Sequence, residues 1–93
     1  SNRSRWLDVS KTATLVRDML AFERMPSDPR GRPLHIRSCK QVAVNPPAFA
    51  FYVNDRDIVN RSFERTTVRK IREMANFEGT PVKVFWRSMR KGN

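Results

Sequence analysis

Three sets of residues in this 93-residue chain have types and spacings that could do chemistry. His35 and Cys39 are four apart in a β-branched-rich run, where two strand positions on one face could serve as nucleophile and base or as two metal ligands. No further ligand lies nearby in sequence, so the plainer reading is a packed strand cysteine and a half-exposed histidine. Asp55 and Asp57 are paired carboxylates at a strand end just before a helix, where the positive end of the helix dipole favours negative charge. Capping therefore accounts for them better than catalysis or metal binding. A GxxxxGK[ST] phosphate loop is missing, and the three glycines, Gly31, Gly79 and Gly92, stand singly, so the sequence offers no Gly-rich cradle for a nucleotide. Neither a catalytic centre nor a cofactor or metal site is expected.

The third set is cationic. Arg61, Arg65, Arg69 and Arg72 fall at i, i+4, i+8 and i+11, which puts four guanidinium groups on one helical stripe away from Phe63, Ile71 and Met74. Arginine suits phosphate because its planar fork makes paired hydrogen bonds and is weakly hydrated. Like charges along one helix face repel, and an anionic partner would offset that repulsion. The plain alternative is a solvated basic face with counterions. Lys70, Lys83, Arg87, Arg90 and Lys91, with Arg30 and Arg32 in a loop, extend the cationic reach. Aromatics interleave with this charge at Phe49, Phe51, Tyr52, Phe85 and Trp86. A domain this small needs most of them for its core, while Trp86 and Tyr52 stay open as candidates for stacking on bases.

The elements that must position these residues follow from the hydrophobic pattern. With 39% hydrophobic and 30% charged residues the chain fits one small domain, and nineteen Lys and Arg against nine Asp and Glu give a formal charge of +10. The first partner to seek is a polyanion, with nucleic acid foremost. A lone cysteine excludes an internal disulfide framework. Because no apolar stretch approaches the roughly 18 residues that span a bilayer, the chain is expected to be soluble, with no membrane partner. Ser1 reads as an internal or processed start. Ser10 is a candidate N-cap for an amphipathic helix from Lys11 to about Met25, with Ala13, Val16 and Leu20 on one stripe and Leu15, Met19 and Phe22 beside it. The breakers Pro26, Pro29, Gly31 and Pro33 make a surface loop. Leu34 to Val44 reads as a half-buried strand, Asn45 to Pro47 as a turn, and Ala48 to Val53 as a central strand. A second helix runs from about Asn60 to Ala75, capped by Asn60 or Asp57 and stopped by Asn76 with Gly79. In a last strand after Pro81, Val82, Val84 and Trp86 share a face. The order α-β-β-α-β predicts a two-layer α+β domain: a three-stranded mixed sheet with helices on one face, its first strand pair antiparallel and its second parallel.

The blocks Asn45-Pro46-Pro47-Ala48-Phe49, Phe51-Tyr52-Val53-Asn54-Asp55, Ser62-Phe63-Glu64-Arg65, Ile71-Arg72-Glu73 and Phe77-Glu78-Gly79-Thr80-Pro81-Val82 resemble the C-terminal KH-like domain of the Der (EngA) GTPases. The likeness spans about residues 9 to 87. It implies a KH-like fold, a role in assembly of the large ribosomal subunit, and a position against ribosomal RNA and the protein's own two G domains. GTP and magnesium would then belong to G domains upstream of Ser1, not to this chain. The GxxG loop by which ordinary KH domains grip a nucleotide backbone is absent. Phe63 stands where the family usually has Tyr, and Thr66-Thr67-Val68 replaces its aromatic-Leu-Glu stretch. That divergence suggests a mitochondrial or plastid member, with the bacterial cytoplasm as the alternative.

The expectation is thus an RNA-binding module with a lead-in at residues 1–9, a KH-like domain at 10–87 and a basic tail at 88–93. Arg61, Arg65, Arg69 and Arg72 would make the main phosphate contacts, assisted by Lys70, Lys83, Arg87, Arg90 and Lys91. Two alternatives stand beside it: an interaction module whose sheet docks G domains or ribosomal proteins, and a freestanding basic ribosomal protein.

Overall fold

A computed structural model describes residues 6–77 and 79–89. Helix α1 (Val9–Phe22) is followed by strands β1 (Ile36–Val44) and β2 (Pro47–Val53), a 3-10 turn (Arg56–Ile58), helix α2 (Arg61–Ala75) and strand β3 (Lys83–Ser88). The sheet order is β1-β2-β3, antiparallel between the first two and parallel between the last two, so the expected α-β-β-α-β architecture is what the chain adopts. The Asn45–Pro46 peptide at the β1–β2 turn is cis.

Strand β2 organises the core. Phe49, Phe51 and Val53 are fully buried toward the helices, against Leu15 and Met19 of α1 and Phe63 and Ile71 of α2. Trp86 belongs to this layer: its ring stacks on Phe51 at 4.9 Å between centroids and lies 5.9 Å from Phe63. It is therefore a core residue and not a stacking platform. The Trp86 Nε1–H finds no acceptor among the described residues, a local cost offset by the area the indole buries.

Helix α2 forms as its sequence dictates. Asn60 accepts a 2.7 Å hydrogen bond from the Phe63 amide, which fixes the first turn. Asn76 stops the helix in the left-handed conformation at φ 59°, its amide donating to the Arg72 carbonyl. Buried Thr67 satisfies its hydroxyl on the Phe63 carbonyl at 2.9 Å. Asn60→Ala is expected to cost about 1 kcal/mol, read as a lower urea midpoint with an unchanged slope.

Helix α1 departs from expectation at both ends and in its face. It begins at Val9 with Asp8 in the cap position, and Ser10 donates to the Asp8 carboxylate at 2.7 Å instead of capping. It ends at Phe22 because Glu23 turns extended; the chain then closes on itself through a Leu34 amide to Pro26 carbonyl bond and a Ser27–Pro33 bridge. The buried stripe is Thr12, Leu15 and Met19, while Ala13, Leu20 and Phe22 are exposed. Thr12 can be buried because its hydroxyl donates to the Val9 carbonyl at 2.9 Å.

The Pro26–Pro33 loop is more ordered than a cationic surface loop needs to be. Asp28 accepts from the amides of Arg30 and Arg32 and pairs with the Arg32 guanidinium at 3.1 Å, and Arg32 also reaches Asp55 at 2.8 Å. The Arg32 amide bond first, then its side chain and the Arg30 amide, hold the Asp28 carboxyl below the ordinary carboxylate value.

Candidate nucleic-acid interface

The arginine stripe exists as a surface. Buried Phe63, Thr67, Ile71 and Ala75 pin one side of α2 to the sheet and α1. That leaves Arg61, Arg65 and Arg69 exposed and Arg72 half-buried on the other side, over a rise of about 16 Å. Arg69 lies 3.8 Å from Glu73, with both side chains more than half exposed; a pair of that kind is weak and easily exchanged for a phosphate. Arg61, Arg65 and Arg72 form no ion pair among the described residues.

The other cations are distributed differently. Lys70 turns toward α1, where its ammonium pairs with Glu23 at 3.2 Å and both side chains are largely buried; it clamps the two helices together. Lys83 and Arg87 lie beyond the helix layer, on the open face of the sheet. Their strand partners are Ala48 and Tyr52, which alternate with the core residues Phe49, Phe51 and Val53. Arg90 and Lys91 lie outside the described residues. The basic groups thus form two surfaces: the α2 stripe on one side and the sheet on the other.

The open sheet face also holds residues that sequence reasoning missed as a surface. Lys40 pairs with Ala50 across β1–β2, and Phe85 pairs with Ala50 across β2–β3; Phe85 is 42% exposed. The signal was present, since placing Val84 and Trp86 inward places Phe85 outward.

The His35–Cys39 pair does not assemble. A bulge between Ile36 and Ser38 breaks the two-residue alternation, so Cys39 packs against the core on the side of Ile36 while His35 is exposed. Burial pushes the Cys39 thiol from 9.0 up to about 12, which lowers its thiolate population near neutral pH about a thousandfold. Ellman's reagent at about pH 8 is expected to leave the native chain unlabelled and to label it fully once unfolded; rapid native labelling would contradict the placement of Cys39. Asp55 acts as a cap, accepting from the Asp57 amide at 3.0 Å. No group of three or more His, Cys, Asp or Glu residues that could hold a metal occurs among the described residues. Nor, among them, is any helix long and apolar enough to cross a membrane.

Comparison with known proteins agrees with the blocks in the sequence. The family model described as "KH-domain-like of EngA bacterial GTPase enzymes, C-terminal" matches residues 7–87. The chain is 36% identical over 91 residues to "GTPase Der" of Symbiobacterium thermophilum, covering 98% of this chain and 19% of that protein. "GTPase Der" of Leuconostoc mesenteroides is 37% identical over 87 residues, covering 94% of this chain and 20% of its own length. That of Halalkalibacterium halodurans is 41% identical over 73 residues, 78% of this chain and 16% of the relative. The chain therefore spans about a fifth of the length of the curated relatives it matches. These relatives are bacterial, which favours the bacterial alternative over the expected organellar one. Family model, relatives and the α-β-β-α-β fold agree that this chain belongs to the C-terminal KH-like family of the EngA (Der) GTPases.

Proposed function

We propose that this domain is the RNA-contacting module of a bacterial-type Der GTPase acting in assembly of the large ribosomal subunit. The observation that carries the reading is the α2 stripe, with Arg61, Arg65 and Arg69 exposed, Arg72 half-buried, and a single weak ion pair to them among the described residues. Such a row recognises folded RNA by backbone charge and shape and carries little sequence information. Arg90 and Lys91 would lengthen the contact, and Lys83 and Arg87 would supply it from the sheet side. GTP hydrolysis and its magnesium belong to G domains outside this chain, which has no phosphate loop of its own.

A second reading, docking of the domain onto the rest of a Der polypeptide, is favoured by the apolar outer side of α1. There Val9 is 79% and Leu20 49% exposed, and the relatives are about five times as long as this chain. The two readings are compatible, since they use opposite helices.

Fluorescence anisotropy of the chain with a structured ribosomal RNA fragment across a salt series tests the proposal. Binding whose log K falls with log salt at a slope of about −3 to −5 is expected. No binding at low salt, or binding insensitive to salt, would overturn it.

A further inference from the structure

We propose that the open face of the sheet is a second RNA site, a platform on which unpaired bases stack. This rests on the reading of the chain as an RNA-contacting domain and assigns a ligand class to a surface the helix stripe does not use. Along β3 the outward positions are Lys83, Phe85 and Arg87, a cation, an aromatic and a cation at steps of about 6.6 Å. Tyr52 stands beside Arg87 in the central strand, and Lys40 faces Phe85 across Ala50. Ala48 and Ala50 are only 4% and 1% exposed, so the longer side chains around them close over the centre of the face and themselves make its accessible surface.

The Arg87 guanidinium lies over the Phe85 ring, 6.0 Å from its centroid, a cation–π approach at the outer limit of contact, and Phe85 stays 42% exposed beside it. Among the described residues the outward strand positions carry no carboxylate. A flexible single strand alternates flat bases with anionic phosphates, and this face alternates flat rings with cations in the same way. A rigid duplex would hide its bases from Phe85 and Tyr52 and meet only the cations, which is why the assigned ligand is unpaired RNA.

Anisotropy with two labelled probes, a uridine dodecamer and a stable RNA hairpin, tests this on the full 93-residue chain. Phe85→Leu keeps an apolar side chain at a partly exposed site and removes the ring; circular dichroism verifies its fold. The dodecamer is expected to bind about tenfold more weakly to Phe85→Leu and to Tyr52→Leu than to wild type, with hairpin affinity changed less than about twofold. Inorganic polyphosphate, an anion without bases, is expected to bind wild type and Phe85→Leu alike. Dodecamer binding unchanged in both variants, absent in wild type, or lost in parallel with polyphosphate would overturn the platform. Failure of the wild type to bind the hairpin would instead remove the helix-stripe reading, so the two claims fail separately.

Discussion

Replacing Arg61, Arg65, Arg69 and Arg72 together by alanine is expected to flatten the salt dependence of RNA binding by about three to four units of slope, roughly one for each phosphate that is no longer neutralised. Between about 50 and 200 mM salt a slope of that size corresponds to roughly a 10²-fold change in affinity, so at low salt the variant falls far below wild type. The fold should survive. Three of the four side chains are exposed, the one ion pair they make among the described residues is the 3.8 Å approach of Arg69 to Glu73, and the buried side of α2 is untouched. Alanine is the better helix former, and removing neighbouring like charges relieves repulsion. A melting temperature equal to or above that of wild type, with weakened and salt-flattened binding, is the expected pair of results. An unchanged slope would show that the stripe meets only solvent.

Phe51→Ala is expected to have the largest effect on stability. Phe51 is fully buried in the central strand and stacks on Trp86 at 4.9 Å, so its removal empties the joint between the sheet and α2. Truncations of this kind cost about 3 to 5 kcal/mol, against a total of about 5 to 15 kcal/mol for a domain. Urea unfolding followed by tryptophan fluorescence should show a midpoint far below that of wild type, and a chain already unfolded where the wild-type stability lies at the low end of that range. A loss below about 1 kcal/mol would mean that the core is not organised around β2.

The sheet was readable because strand patterning is strict: Phe49, Phe51 and Val53 alternate with small or amphipathic residues, and the strand partners follow from that alternation. Helix α2 was readable for a related reason, since arginines fill one side and Phe63, Thr67 and Ile71 the other. Helix α1 was not. It is apolar around much of its circumference, so Val16, Leu20 and Phe22 offered stripes as plausible as Leu15 and Met19, and only packing against the sheet selects between them. The bulge after Ile36 was equally hidden. One extra residue reverses the facing of everything before it, which separates His35 from Cys39. For the interface, one-dimensional spacing put the four arginines together but could not tell that Lys70 is held by Glu23, which depends on packing between elements distant in the chain. That Lys83 and Arg87 lie on the open face of the sheet follows, as for Phe85, from the inward positions of Val84 and Trp86.

The central claim, that RNA is met through the outer side of α2, is tested most directly by an NMR titration. Arginine Nε–Hε resonances would be followed while a structured ribosomal RNA fragment is added to the isotope-labelled chain. The resonances of Arg61, Arg65, Arg69 and Arg72 are expected to shift together and saturate together, with Arg32, held by Asp28 and Asp55, little changed. Shifts confined to other arginines, with those four unmoved at saturating RNA, would contradict it.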